Sequence, residues 1–240
     1  MSLLGEAAMV FWHDITGGDD DYKDWHSNEH MSERVGVPGF LRGRRARSLR
    51  GEPQYFIMYE VDSVEVLTSR AYLDRLNDPS PWTEQVLSRY RNSNRTLCRL
   101  DDSRGLGAGR FLVTCRMAPA EGSGDLLRHW LQNTFLEECV SVSSIVGAHF
   151  LTADEAASHT QTEEKKLRSR PDEIADWVVI LEGYDEDAMQ AVMTEELAAE
   201  HLERLGALPG SQTNFYELEH IASDTDVQNA RPGRVNGPKR

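Results

Sequence analysis

Cysteine and long hydrophobic runs are both scarce in this sequence. Its three cysteines, Cys98, Cys115 and Cys139, are odd in number and far apart, which excludes a disulfide framework and a Cys-x-x-Cys metal site. No apolar run approaches the roughly 18 residues that cross a bilayer, and the first residues lack the pattern of a signal peptide. These absences predict buried thiols and a cytoplasmic protein.

Positive charge is also in short supply. The chain of 240 residues has 26 Lys and Arg against 40 Asp and Glu, a formal net charge of -14. Such a surface repels phosphate groups, so nucleic acid and an anionic membrane are excluded as partners. The remaining composition is that of a globular protein, for which we expect a small-molecule ligand. A homodimer of the whole chain stays open.

Strand and helix signals occur twice in the same order. The first copy has strands over 7–13, 40–49, 54–61 and 95–100, with helices over 21–35, 63–76 and 81–90. The second copy has strands over 109–117, 145–151, 176–182 and 213–220, with helices over 125–140 and 186–205. This β-α-β-β-α-β order predicts an α+β protein of two ferredoxin-like (split βαβ) repeats with antiparallel sheets.

The repeats give the predicted domain boundaries. A first repeat covers 1–104, a degenerate second repeat covers 105–222, and a hinge lies near 101–109. The charged insertion at 154–173 is predicted to be a solvated excursion, with a lid as the alternative. The tail, 223–240, has no periodicity and is predicted to be disordered.

The two copies align residue by residue at their first helix, where WHSNEHMSERVGV matches WLQNTFLEECVSV. In the second copy an apolar stripe recurs at i, i+3, i+4, i+7 and i+8, the face that a helix turns toward its core: Leu127, Trp130, Leu131, Thr134 and Phe135. The equivalent residues of the first copy are Tyr22, Trp25, His26, Glu29 and His30. Three ionisable groups therefore replace residues that the sister repeat uses for packing.

Buried ionisable groups need partners, water or a cavity, because leaving them unpaired costs several kcal/mol. This substitution predicts a pocket in the first repeat, and the alternative is a solvated rim. In the pocket, His30 is the expected general acid/base, oriented by His26 or Glu29, and Trp25 and Tyr22 pack on the substrate. A group titrating near pH 6 to 7 should then govern the pH–rate profile.

Three further residues are candidates for substrate binding. His13 ends the first strand and either points into the pocket or caps the strand. Arg44 aligns with His149 of the second copy and could clamp a carboxylate, although pairing with acidic side chains explains it as well. Tyr59 alternates with core residues and could border the pocket.

The same helix also matches a metal motif. His26, Glu29 and His30 have the H-x-x-E-H spacing of inverted zinc proteases, in which two histidines bind zinc and the glutamate acts as base. Later glutamates offer no accompanying motif for the third ligand. Zinc, and haem bound through one of these histidines, are therefore alternatives to a site without a cofactor.

The stretch WHSNEHMSERVGVPGFLRGRR, followed by QYFIMYEV, resembles the first helix and second strand of EthD-like proteins in the dimeric α/β-barrel superfamily. The resemblance covers residues 5 to 100 and extends to the second half only as a degenerate copy. It implies two ferredoxin-like units packed sheet to sheet, here as an intrachain pseudo-dimeric α/β barrel. It also implies a cavity for small, often aromatic molecules, used in the superfamily by cofactor-free oxygenases, decarboxylases and cyclases, and in some members for haem.

These observations together predict a small-molecule enzyme that performs proton-transfer chemistry on an aromatic or organic-acid substrate without a cofactor. The class includes oxygenases, decarboxylases, cyclases and lyases. A non-catalytic ligand-binding protein is the first alternative, because it needs the same wet, aromatic-lined cavity. A zinc-dependent hydrolase is the second.

Overall fold

The computed structural model describes residues 3–168 and 170–230, and its strands close into a single antiparallel barrel. The strands are β1 Ala7–Ile15, β2 Phe40–Ser48, β3 Tyr55–Val61, β4 Tyr90–Gly105, β5 Phe111–Met117, β6 Ile145–Ala153, β7 Trp177–Gly183 and β8 Gln212–Ser223. Their order around the barrel is β1-β3-β2-β8-β5-β7-β6-β4. No helix in these two ranges is long and apolar enough to cross a membrane.

The helices are short segments on the outside of the barrel. They are α1 Asp19–Trp25, α2 Met31–Val35, α3 Arg70–Leu76, α4 Pro81–Leu87, α5 Gly124–Trp130, α6 Leu136–Ser141, α7 Glu155–Ser158, α8 Glu163–Leu167, α9 Glu186–Glu195, α10 Ala199–Arg204 and α11 Asp224–Gln228. A π-helical turn joins α1 to α2 and another joins α5 to α6. A 3-10 helix, Val64–Thr68, precedes α3.

Each half of the barrel is a four-stranded ferredoxin-like sheet. The first half has the order β4-β1-β3-β2 and the second half has β6-β7-β5-β8. The halves join edge to edge twice, through β2 with β8 and through β4 with β6. Because every edge strand pairs with the other half, no sheet edge is left open. The predicted fold class, two fused repeats forming a pseudo-dimeric α/β barrel, is confirmed.

The fourth strand differs from its prediction. It was expected over 95–100 and runs instead over 90–105, because its first part pairs with β1 and its last part pairs with β6 of the second half. The polar run Arg91-Asn-Ser-Asn-Arg hides the beginning of the strand in the sequence. The predicted hinge near 101–109 is therefore strand as far as Gly105, with a shift in register between Leu100 and Asp102.

Three apolar clusters hold the barrel together. One lies between the first half's sheet and its helices, and a second occupies the same place in the second half. The third fills the barrel interior, where Trp12 and Phe56 of the first half meet Leu112, Ile180 and Tyr216 of the second. The predicted buried thiols are confirmed for all three cysteines.

Two segments predicted to lack structure are ordered. The insertion at 154–173 folds back over the first half as α7 and α8, with Ala157 buried in the first half's core and Leu167 packed against it. We call residues 155–168 the cover segment. The tail begins as the end of β8 and continues into α11, whose Val227 also packs on the first core. The rest of the predicted disordered tail, 231–240, lies outside the described residues.

Candidate functional site

The first helix of each half contains a π-helical turn at equivalent positions, His26–His30 in the first half and Leu131–Phe135 in the second. Such turns widen a helix locally and are often found at functional sites. Here both repeats have one, so the widened turn belongs to the shared fold. What distinguishes the halves is the chemistry of the side chains that the turn presents to the sheet.

Both histidines of this turn are buried. His26 is 1% exposed and His30 is 9% exposed, and their ring centroids lie 5.7 Å apart. Their sister residues, Leu131 and Phe135, are buried in the second core. Both ring nitrogens of His26 and Nδ1 of His30 have no hydrogen-bond partner in the part of the chain that the structure describes. The first half therefore buries imidazole nitrogens that are available to a bound molecule.

Glu29 does not join the histidines. Its carboxylate is half-buried and accepts hydrogen bonds from Ser80 Oγ and, at 3.3 Å, from Thr83 Oγ1 at the start of α4. Glu29 thus fixes α4 to the first helix, and the geometry gives no support to its predicted role of orienting a histidine.

The predicted aromatic residues form the layer next to these histidines. The Trp25 ring packs on His30 with centroids 4.2 Å apart, and Trp25 Nε1 donates to Thr83 Oγ1 at 3.0 Å. Tyr22 Oη lies 3.1 Å from Nε2 of His13. His13 is fully buried and stacks on Tyr90 at a centroid distance of 4.1 Å. His13 therefore points toward the helix and does not cap its strand.

A small cavity of about 20 Å³ lies between this helix, the sheet and the cover segment. That is room for roughly one water molecule. Its lining combines apolar residues with a ring of polar ones: His26, His30, Arg34, Tyr59, Tyr72, Tyr90, Arg95, Glu164 and Arg168. Of the residues singled out in the sequence, His26, His30 and Tyr59 reach this cavity. Tyr59 fits there because β2 carries Gly43 opposite, where a Cβ would lie 2.8 Å from the tyrosine ring.

Sequence reasoning missed Arg34, although the sequence contained its signal. Arg34 follows His26 and His30 at the same four-residue interval, and its equivalent in the second repeat is Cys139, which is buried in the second core. The first repeat thus has a polar residue where the second has an apolar one for one more turn of the helix. Glu164 and Arg168 carried no such signal, because the second repeat's insertion has no counterpart in the first.

Burial and positive charge together keep the histidines neutral. Desolvation lowers the pKa of His30 well below 6.5, and the nearby Arg34 guanidinium lowers it further. Desolvation and then Arg45 act in the same direction on the pKa of His26. The pKa of His13 falls to about 3 for the same reasons. At neutral pH these imidazoles are therefore proton acceptors, and the sequence-based expectation of a group titrating near pH 6 to 7 does not hold for this geometry.

The cover segment closes the cavity with charged groups. Glu164 forms a buried ion pair with Arg34 of α2. The Arg168 guanidinium lies 5.3 Å from the ring centroid of Phe11 and pairs with Asp172 at 2.7 Å. Farther from the cavity, Ser158 Oγ accepts from the backbone of Leu97 at 2.9 Å. The insertion is therefore a packed cover and not the solvated excursion expected from its sequence.

Arg44 lies on the opposite face of the sheet, inside the barrel. Its guanidinium contacts Glu60 at 3.0 Å and Glu182 at 2.7 Å, and Glu182 also lies 3.3 Å from Nε2 of His149. Burial opposes the charge on Glu182, but Arg44 and His149 hold the pKa of its carboxyl at about 2. Arg44 and His149, which align in the two repeats, thus both contact Glu182 in one interior network that joins the two halves. Arg44 does not reach the cavity.

The metal alternative finds little support in this geometry. Within residues 3–168 and 170–230, no group of three His, Cys, Asp or Glu side chains is arranged to hold a metal ion. Glu29, the third member of the H-x-x-E-H motif, is bound to Ser80 and Thr83 instead. Haem, like any ligand of drug size, would require the cavity of about 20 Å³ to enlarge, since pockets for such ligands occupy roughly 300–1,000 Å³.

Comparisons with known proteins find similar folds but no similar sequence. No protein-family model matches the chain, and no curated protein matches its sequence. The structure of an anthrone oxidase-like protein aligns with a TM-score of 0.61 at 12% identity, over 92% of this chain and 94% of that one. A candidate monooxygenase from Lactobacillus acidophilus aligns with a TM-score of 0.58 at 9% identity, over 91% and 97%.

A third structure, that of a candidate chlorite dismutase, aligns with a TM-score of 0.51 at 13% identity, over 93% of this chain and 98% of that one. At such low identities the likeness concerns the architecture and not the chemistry. The chain therefore has the dimeric α/β-barrel fold, with both halves of the barrel supplied by one polypeptide.

Proposed function

We propose that the cavity of the first half binds a small aromatic compound with an acidic C–H or O–H group, and that His26 or His30 removes a proton from it. The single observation behind this proposal is the pair of buried imidazoles whose nitrogens have no hydrogen-bond partner among the described residues. Burying polar atoms without partners is costly, so a protein retains them where they serve a ligand. The sister repeat, with Leu131 and Phe135, supplies the internal comparison.

The positive charges around the cavity would stabilise the anion that remains when a substrate loses a proton. A neutral imidazole is the base form, and an anion formed next to it raises the pKa of the resulting imidazolium, which favours the transfer. Arg34 and Arg168 line the same cavity and would stabilise negative charge on the substrate. This chemistry requires the cover segment to move, because the closed cavity of about 20 Å³ admits only a molecule the size of water.

An oxygenase without a cofactor is the reaction type that fits best. Once a substrate carbon has lost its proton, the carbanion can transfer electrons to O2 and form a carbon–oxygen bond. In the simplest case, a CH2 group flanked by aromatic rings reacts with O2 to give a carbonyl group and water, so atoms and electrons balance. The fold's likeness to an anthrone oxidase-like protein makes anthrone a reasonable first probe. The EthD-like relationship predicted from the first helix stays part of this proposal.

The experiment is anthrone oxidation by the purified protein, followed by absorbance of anthraquinone and by O2 uptake. His30→Phe and His26→Leu install the sister repeat's residues, and we expect the one that removes the general base to lower kcat/KM by about 100-fold, the typical contribution of such a group. His129→Ala, at an exposed position of the second half, should leave the rate unchanged.

Because burial lowers the pKa of both histidines, the rate of the wild type should not change through their titration between about pH 6 and 8. Full activity in the His26→Leu/His30→Phe double variant would exclude both residues from the mechanism. Saturable binding of anthrone without any turnover, in contrast, would favour a non-catalytic binding protein that uses the same cavity.

A further inference from the structure

Resting on the proposed function, we propose that the ligand carries or develops negative charge on oxygen, and that this oxygen binds Arg34 in the place that Glu164 occupies in the closed structure. Glu164 would then be an internal substitute for the ligand's carboxylate, phenolate or enolate. The substrate class is therefore an aromatic acid or phenol, or a ketone that becomes an enolate.

The contact between Arg34 and Glu164 joins parts of the chain that are distant in sequence. Arg34 lies in the last turn of α2 in the first half, whereas Glu164 belongs to the cover segment of the second half. The two side chains are 1% and 6% exposed, so the pair is shielded from water. A carboxylate and a guanidinium match each other in shape as well as charge, so the site that holds Glu164 is equally suited to a carboxylate from solution.

Donor groups around this pair remain available. In residues 3–168 and 170–230, Arg34 Nη1, Arg168 Nε and Tyr59 Oη are buried and make no hydrogen bond, and all of them can donate. The carboxylate of Glu33 lies 3.6 Å from Arg34 Nη1, outside hydrogen-bond distance. A cavity edge with free donors and a surplus of guanidinium groups favours an anion over a neutral or cationic ligand.

The construction of α8 explains how Glu164 can leave. This helix has only five residues, Glu163–Leu167, and its N-terminal backbone is held from outside the cavity by Asn77 Oδ1, which accepts from the Glu163 amide at 3.1 Å. Glu164 is the residue of α8 that lines the cavity, and Leu167 packs on the first core beside it. Moving α8 outward would therefore remove the internal anion and enlarge the cavity in the same step.

The test uses two ligands of the same shape that differ in charge, 2-naphthoate and 2-naphthamide. We expect Glu164→Gln to bind 2-naphthoate about tenfold or more tightly than the wild type does, because removing the internal competitor raises the fraction of protein that is competent to bind. Binding of 2-naphthamide should change much less. Glu163→Gln is the matched control, since this neighbour is exposed and pairs with Lys166, and it should bind as the wild type does. Calorimetry measures all of these affinities.

A second substitution tests the role of Arg34, the ion-pair partner of Glu164. Adding Arg34→Gln to Glu164→Gln should abolish the tenfold gain for 2-naphthoate. An equal gain for both ligands, or a gain that persists without Arg34, would overturn the proposal, because the cover would then be a barrier and not a substitute anion. Should Glu164→Gln be poorly folded, the ligand-induced rise in its melting temperature gives the same comparison: a larger rise with 2-naphthoate than with 2-naphthamide supports the proposal.

The outcome is independent of catalysis. If anthrone is oxidised in a histidine-dependent reaction but Glu164→Gln gains nothing for 2-naphthoate, the inference fails and the proposed function stands. If the variant gains selective affinity for the anion but no turnover is found with any substrate, the inference stands and the protein is a binding module.

Discussion

At the scale of single residues, the two halves of this barrel differ at equivalent buried positions, which are polar in the first half and apolar in the second. One helix face carries His26, His30 and Arg34, and its counterpart carries Leu131, Phe135 and Cys139, a difference that is visible in the sequence alone. The polar set is less favourable for folding, since unpaired buried polar groups cost roughly 1–3 kcal/mol each. The first half therefore carries a cost in stability that the second half avoids at the equivalent positions.

Exchanging the two histidines for their sister residues should therefore stabilise the protein. We expect His26→Leu/His30→Phe to raise the free energy of unfolding at pH 7 by about 1–3 kcal/mol, because apolar side chains replace imidazoles without partners. Urea denaturation followed by circular dichroism measures the change. A loss of stability would mean that these imidazoles form favourable contacts, and would remove the argument for a polar pocket.

The same variant should also lose a pH dependence. Burial lowers the folded-state pKa of His26 and His30 below 6.5, so below that pH the unfolded chain binds protons that the folded chain does not. The free energy of unfolding therefore has its full value above about pH 6.5. It decreases as the pH falls toward the folded-state pKa values, by up to about 1.4 kcal/mol per pH unit for each histidine. Unfolding curves at pH 7, 6 and 5 should show this slope in the wild type and a smaller one in the variant.

At the scale of elements, the sequence predicted most strands and helices because their apolar periodicity is local. The buried face of the first helix could also be deduced, since the second repeat displays the same face without polar residues. Two features escaped because they depend on distant contacts. The length of β4 is set by its pairing with β6, and the order of the cover segment is set by Ala157 and Glu164 docking on the first half.

These two elements should differ in local stability. Hydrogen exchange in β4 from Leu100 to Gly105 is expected to require global unfolding, because this stretch is paired with β6 in the closed barrel. The cover segment, whose two helices have four and five residues and lie outside the strand pairing of the barrel, should exchange by local opening at a rate several orders of magnitude faster. Exchange followed by mass spectrometry at peptide resolution measures both. Equal protection of the two would argue against a cover that opens for ligand.

At the scale of the whole molecule, the barrel is built from strands of both halves. Trp12 Nε1 of the first half donates to Thr114 Oγ1 of the second at 3.0 Å, and the interior cluster draws its side chains from both sheets. The interior ion network crosses the same boundary. The first half contributes Arg42, Arg44 and Glu60, and the second contributes Glu182 beside His149, whose pKa is lowered by burial.

Separated halves should therefore prefer each other to copies of themselves. Two first halves would bury two copies of Arg44 without Glu182, and two second halves would bury two copies of Glu182 without Arg44, whereas one of each pairs Arg44 with Glu182 at 2.7 Å. We expect fragments 1–106 and 107–240 to form a one-to-one complex when they are expressed together, and each to aggregate or associate weakly when it is expressed alone. Native mass spectrometry of the co-expressed fragments distinguishes these assemblies. Replacing both Arg44 and Glu182 by Met should abolish the preference while preserving the apolar contacts, and an unchanged one-to-one ratio would show that shape alone selects the partner.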